Sequence, residues 1–126
     1  MTGDKFLLDT NIILGLLKND PKVVSLLSAL ELRSGACAYS SITRMELLGY
    51  PGITAGEAET ITRVLDSLDH LAIDVAVEDE TIRIRQKTKL KLPDAIICAT
   101  ALIHGLELLT FDTQLDTAYK ALLAHS

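Results

Sequence analysis

The stretch KFLLDTNIILGLLK, residues 5–18, decides the fold of the chain. It opens with a short apolar run that ends at Asp9, and an apolar segment with helical spacing then begins at Ile12. Thr10 or Asn11 can cap that helix, because short polar side chains accept hydrogen bonds from the first N–H groups of a helix. The stretch therefore predicts a strand followed at once by a helix.

The rest of the chain repeats this alternation of short apolar runs with helical patterns that start at caps or prolines. Further strands are expected at 36–39, 71–75 and 106–110, and further helices at 23–32, 41–48, 54–68, 78–89 and 93–104. Strands joined by helices pair in parallel and need cover on both faces of their sheet. The sequence thus predicts a single α/β domain over residues 1–126 with a central parallel sheet.

Composition excludes several classes of protein. Of the 126 residues, 48% are hydrophobic, which is typical of a globular domain with its own core. The longest apolar run, Ala95–Ile103, is too short to span a membrane, and the first residues lack the pattern of a signal peptide. Only Cys37 and Cys98 are present, and neither has a histidine nearby, so we expect buried thiols. We therefore expect a cytoplasmic protein without a membrane segment.

Four acids are expected at one edge of the sheet. Asp9 ends the first strand, Glu46 lies in the helix after the second, and Asp112 follows the fourth. Asp94 opens a helix that leads directly into the fourth strand, and a helix of that length spans about 16 Å, close to the length of a five-residue strand. The first turn of this helix, with Asp94, is therefore expected at the edge where parallel strands end and ligands bind.

Each acid also has a structural explanation. Asp9 is typical of a turn, Asp112 of a helix cap, and Asp94 of a first helical turn, while Thr43 and Glu46 match a capping box. Together, however, four carboxylates would repel one another, by about 4 kcal/mol per pair at 4 Å. A divalent cation relieves that repulsion, and Mg²⁺ or Mn²⁺ suits oxygen ligands better than zinc does. Such an ion supports hydrolysis of a phosphodiester.

The basic residues of this acidic chain are concentrated in one stretch. The net charge of −5 argues against broad affinity for nucleic acid, but five basic residues fall between 83 and 91. This stretch is typical of a solvated helix face, and it could instead follow a nucleic-acid backbone close to Asp94. The candidate nucleic-acid-binding residues are Arg44, Arg85, Lys87 and Lys89. With five aromatic residues in the chain, extensive base stacking is not expected.

Four segments in this order resemble the PIN-domain ribonucleases, in particular the VapC toxins of bacterial toxin–antitoxin systems. They are FLLDTN (6–11), SITRMEL (41–47), PDAIICATA (93–101) and LLTFD (108–112). The resemblance implies a three-layer α/β/α sandwich with four or five parallel strands. It also implies Mg²⁺- or Mn²⁺-dependent cleavage of single-stranded regions of RNA, a VapB-like antitoxin as partner and a homodimer.

The resemblance carries over to individual residues. Asp9, Glu46, Asp94 and Asp112 match the acidic quartet of the family, which is both catalytic and metal-binding, and Asn11 and Thr110 match its supporting polar residues. Relatives often have a further acid and an aromatic residue after the last acid. Leu115 and Asp116 stand in that stretch here, which leaves Asp116 as an alternative fourth ligand.

Three other interpretations stay open at this point. A receiver domain would need an acidic doublet near the first strand, whereas Asp9 is followed by Thr10. A phosphatase of the haloacid-dehalogenase type would need an aspartate where Asn11 stands. A PIN-like fold kept as an inactive binding module is the third, and the intact acidic quartet argues against it.

Overall fold

The computed structural model describes residues 3–30 and 34–125. In chain order its strands and helices are β1 (Phe6–Leu8), α1 (Thr10–Leu17), α2 (Pro21–Ala29), β2 (Cys37–Ser40), α3 (Ser41–Leu48), α4 (Ala55–Asp66), β3 (Asp69–Leu71), α5 (Val75–Lys87), α6 (Leu92–His104), β4 (Glu107–Leu109) and α7 (Thr113–Ala124). The four strands form one parallel sheet in the order β3-β2-β1-β4. The prediction of an α/β/α sandwich around a parallel sheet is confirmed.

Two apolar cores cover the two faces of the sheet. Leu7 of β1 packs in one core with residues of α5, α6 and α7, and Leu8 packs in the other with residues of α1, α2 and α4. Successive strand residues point to opposite faces, so the Leu7-Leu8 pair feeds both cores. Cys98 and Cys37 are buried, one in each core, as expected. Burial raises the pKa of the Cys98 thiol to about 12.

The predicted caps account for several helix starts. Asp20 accepts a hydrogen bond from the N–H of Lys22 at the start of α2. Thr54 and Glu57 form the reciprocal capping box of α4, with distances of 3.1 and 3.0 Å. At α6, proline stands in the first turn and Gly105 ends the helix with a φ of 65°. That left-handed conformation is the one that glycine adopts at a helix end.

The third strand was predicted in the wrong place. The structure has it at Asp69–Leu71, and the predicted segment 71–75 is instead the approach to α5. Asp74 caps that helix by accepting from the N–H of Val77 at 2.9 Å, so α5 begins at Val75 and not at residue 78. Because Asp74 caps α5, the chain enters the helix at Val75 and cannot continue there as a strand. The predicted strand 71–75 is therefore wrong.

Two further differences concern helices. α7 was not predicted at all, although Leu115 and Tyr119 bury its inner face in the core. The second predicted helix, 23–32, is described to Ala29, and residues 31–33 lie outside the described part of the chain. Within the described part, no helix is long and apolar enough to cross a membrane.

Candidate active site

Asp9 is the most firmly held of the candidate acids. It follows β1, caps α1 and is only 5% exposed. Its Oδ1 accepts from the N–H of Thr10 at 2.7 Å, and its Oδ2 accepts from the hydroxyl of Thr110 at 2.6 Å and the amide of Asn11 at 3.1 Å. Burial raises the pKa of Asp9, these hydrogen bonds oppose that shift, and the charge of Asp112 adds to it.

Asn11 and Thr110 tie the ends of β1 and β4 together. The amide nitrogen of Asn11 donates to the hydroxyl of Thr110 at 3.2 Å, and its amide oxygen accepts from the N–H of Phe111 at 3.3 Å. The Thr110 hydroxyl also accepts from the N–H of Asp112 at 3.0 Å. Both predicted supporting residues are therefore in contact with Asp9 and orient its carboxylate.

Glu46 reaches the same region from α3. Its Oε1 accepts from the hydroxyl of Thr10 at 2.8 Å, and that hydroxyl also lies 2.9 Å from the hydroxyl of Thr43. The N-cap of α3 is Ser40, so Thr43 lies inside the helix and not at its cap. Its side chain is fully buried. The capping box suggested for Thr43 and Glu46 is therefore wrong. The two threonines are positioning residues that sequence reasoning missed, since they meet only in three dimensions.

Asp94 lies in the first turn of α6 and is partly buried. Burial raises its pKa, and the charges of Asp112, Asp9 and Glu46 raise it further, while Lys91 opposes them. All four predicted acids thus lie within electrostatic reach of one another at the carboxyl edge of the sheet. The returning helix brings Asp94 to this edge, as its length predicted.

Asp112 and Asp116 lie one turn apart but differ in their surroundings. Asp112 caps α7 through its Oδ1, which accepts from the N–H of Leu115 at 3.1 Å, and its charge acts on Asp94. Asp116 is half-buried on α7 and lines a cavity together with Thr110, and its Oδ2 forms an ion pair with Lys120 at 2.9 Å. The geometry therefore favours Asp112 over Asp116 as the fourth acid.

The donor set of this cluster consists of oxygen atoms only. Across residues 3–30 and 34–125, no three carboxylates, imidazoles or thiols already stand close enough to hold an ion. The carboxylates of the cluster therefore lie farther apart than the ligands of one bound ion do. Their chemistry nevertheless fits Mg²⁺ or Mn²⁺, which prefer oxygen ligands and retain part of their water.

The candidate RNA-binding residues do not form one patch. Arg85 and Lys87 are exposed on the last turn of α5. Lys89 lies in the loop before α6 and, with Thr113 of α7, lines an open cavity of about 380 Å³. Arg44 is exposed on α3, the helix that carries Glu46. The candidate basic residues therefore lie on two separate parts of the fold.

A second cavity, of about 400 Å³, lies between α1, α3 and α4 beside Glu46. Its walls are largely apolar, and Leu14, Tyr50 and Ile61 contribute to them. Leu14 and Tyr50 are 40% and 68% exposed. This apolar groove adjoins the acidic cluster at Glu46.

Comparisons with known proteins agree with this architecture. The structure of a toxin–antitoxin complex from Klebsiella pneumoniae includes a chain 33% identical to this one, with 87% of this chain and 88% of that one covered and a TM-score of 0.76. FitAcB from Neisseria gonorrhoeae is 27% identical, with 91% and 93% covered and a TM-score of 0.76. DNA-bound VapBC from Salmonella typhimurium is 26% identical, with 82% and 83% covered and a TM-score of 0.67.

No curated protein was found to match the sequence. A sequence model of the PIN domain family, in contrast, matches residues 6–121, which include all four acids and every strand described above. The chain therefore belongs to the PIN domain family.

Proposed function

We propose that the protein is a metal-dependent endoribonuclease that cuts single-stranded regions of RNA, and that it is the toxin of a VapBC-type pair. PIN domain toxins are nucleases, which makes a hydrolase the expected class of enzyme. The observation that carries the proposal is the convergence of Asp9, Glu46 and Asp112 on Asp94, whose pKa is raised by burial and by these three charges. Membership of the PIN family removes the receiver-domain and phosphatase alternatives.

We assign the binding of Mg²⁺ or Mn²⁺ to Asp9, Glu46, Asp94 and Asp112. When bound, the ion would neutralise charge on the phosphate and help to deprotonate a water molecule. Asp9, fixed by three hydrogen bonds, would anchor the site. Burial and the charges of the other three acids raise the pKa of Asp94, so a bound cation would stabilise the ionised form of this carboxylate.

The proposed partner is a VapB-like antitoxin. Support comes from the similar solved structures, which are toxin–antitoxin complexes. The apolar groove beside Glu46 is large enough for side chains of a partner segment. A partner seated there would cover Glu46 and hinder access to the cluster. The homodimer stays a prediction.

Cleavage of a 5′-labelled single-stranded RNA by the purified protein, with Mg²⁺, Mn²⁺ or chelator, tests the proposal. We expect cleavage only with metal, and a loss of about 100-fold or more in Asp9→Asn and Asp94→Asn, as expected for loss of a catalytic acid or base. Asp112→Asn should be impaired and Asp116→Asn close to wild type.

The matched control is Asp79→Asn, which removes an exposed acid of α5. It should leave cleavage unchanged. Equal activity in all these variants, with each shown to be folded, would refute the assignment of the acids. A folded wild type that binds RNA without cutting it under any metal condition would favour the inactive binding module instead.

A further inference from the structure

Two rings stack on the face of the sheet next to the acidic cluster. Tyr39 of β2 and His70 of β3 are register partners, and their rings lie 5.2 Å apart between centroids at an angle of 4°. Tyr39 is only 5% exposed, whereas His70 is exposed. The tyrosine therefore forms a buried support on which the imidazole lies flat.

The imidazole is also held at its edge. Its Nε2 lies 2.6 Å from the hydroxyl of Ser41, the first residue of α3. Within the described sheet β3 has one neighbour, β2, so the ring face turned away from Tyr39 has no strand beside it. A planar ring is thus fixed by one stack and one hydrogen bond, with its second face open at the edge of the sheet.

A free cation lies close to the stacked rings. Arg44 follows Ser41 by three residues, which places both on one face of α3. Burial raises the pKa of Tyr39, the charge of Arg44 opposes that shift and the charge of Asp66 adds to it, so the guanidinium lies within electrostatic reach of the tyrosine. The ion pairs found within residues 3–30 and 34–125 do not include Arg44, and its side chain is exposed.

We propose that the open face of His70 is a stacking platform for one nucleobase of a single-stranded RNA, with Arg44 contacting a neighbouring phosphate. The inference rests on the proposed ribonuclease function and adds a substrate subsite to it. Every base has a flat π-face, and a ring paired with a basic side chain is how proteins hold single strands. An exposed ring on an edge strand is accessible to an extended single strand.

The position of the platform sets its role. β3 and β1 are separated by β2, so His70 lies about two strand spacings, roughly 10 Å, to the side of the strand that ends at Asp9. A base stacked there belongs to a nucleotide away from the bond that is cut. The platform should therefore affect RNA affinity and leave the chemical step unchanged.

Steady-state cleavage of a single-stranded RNA by His70→Ala, His70→Gln and His70→Phe tests this. The glutamine can keep a hydrogen bond to Ser41 without a ring, and the phenylalanine keeps a ring without that bond. We expect KM to rise about five- to tenfold in the alanine and glutamine variants, the lower part of the range for a lost base stack, with kcat within twofold of wild type. His70→Phe should stay near wild type, as should the control His104→Ala, which removes an exposed histidine on α6.

A series of RNAs with single abasic positions then completes a double-mutant cycle. One abasic position should raise the KM of the wild type as much as His70→Gln does, and the two changes together should add nothing. A folded His70→Gln variant with the KM of the wild type would overturn the platform. So would a His70→Gln variant whose rise in KM is the same on every abasic RNA as on the intact RNA. Neither result would contradict the proposed nuclease activity. If the wild type cuts no RNA, the proposed function fails and this inference falls with it.

Discussion

Replacing Thr110 by valine removes one hydroxyl from the centre of the acidic cluster and keeps the shape of the side chain. The hydroxyl donates to Asp9 at 2.6 Å and accepts from Asn11 and from the N–H of Asp112. A hydrogen bond to a charged group contributes about 1.5–3 kcal/mol, and a neutral one about 0.5–1.5 kcal/mol. The side-chain amide of Asn11 can turn to water, whereas the main-chain N–H of Asp112 cannot, so we expect the variant to lose about 2–4 kcal/mol of unfolding free energy.

This loss should depend on pH. The hydroxyl lowers the pKa of the buried Asp9, so its bond is strongest when that carboxylate is ionised. The destabilisation should therefore be largest near neutral pH and should shrink as the pH falls through the pKa of Asp9 and the carboxylate is protonated in both proteins. A domain of this size loses about 4 °C of melting temperature per kcal/mol, which predicts a drop of about 8–15 °C at neutral pH.

Urea unfolding of wild type and Thr110→Val between mildly acidic and neutral pH measures the effect without metal. Thr117→Val, at an exposed position of α7, is the matched control and should change stability by less than about 0.5 kcal/mol. If Thr110→Val is as stable as wild type at neutral pH, or if its loss is the same at every pH, the hydroxyl does not support the charge of Asp9 and the description of the cluster is wrong.

Four further substitutions have expected outcomes. Gly15→Ala should cost about 1–3 kcal/mol in urea unfolding, because a Cβ would overlap Val23, whereas Gly56→Ala has open space and should stabilise α4 by up to about 1 kcal/mol. Tyr119→Phe should cost about 1–2 kcal/mol, since its hydroxyl donates to a main-chain carbonyl in the core at 2.8 Å. The raised pKa of Asp94 means that metal-free stability falls as pH rises through it, so Asp94→Asn should melt higher than wild type near neutral pH and match it in acid. Saturating Mn²⁺ should raise the melting temperature of the wild type only, and equal shifts in both proteins would contradict the cation site.

The sheet could be predicted where its strands are buried. β1, β2 and β4 lie at the predicted places to within a residue or two, because each is a short apolar run that ends at a polar residue. β3 could not be found this way. Its sequence, Asp69-His70-Leu71, carries exposed polar side chains because it is an edge strand with one neighbour. The more apolar run after it belongs to a loop and to α5, where Val75 is 68% exposed.

The missed helix α7 did carry a signal. Leu115, Tyr119 and Leu122 are spaced by four and three residues and face one core, and Asp112 stands at the capping position before them. No sequence pattern indicated the contacts of Thr10 with Thr43 and Glu46. The residues are 33 and 36 positions apart in the chain, and hydroxyl–hydroxyl contacts at that separation depend on how α1 and α3 pack.

For Asp9 and Asp112, a structural role as a helix cap is compatible with a functional role in the acidic cluster. Asp9 and Asp112 both cap helices that follow strands, and in each case one carboxylate oxygen accepts the capping hydrogen bond. A cap at such a junction places the carboxylate at the carboxyl edge of a parallel sheet, where ligands bind.

Asp94 differs from these two acids. It lies inside the first turn of α6, and its carboxylate accepts none of the hydrogen bonds found within the described residues. The first turn of a helix stabilises a negative charge by about 0.3–1 kcal/mol, whereas burial and three neighbouring acids oppose that charge. Asp94 is therefore the residue for which a bound cation is the better explanation, and the one whose substitution separates a metal site from a set of caps.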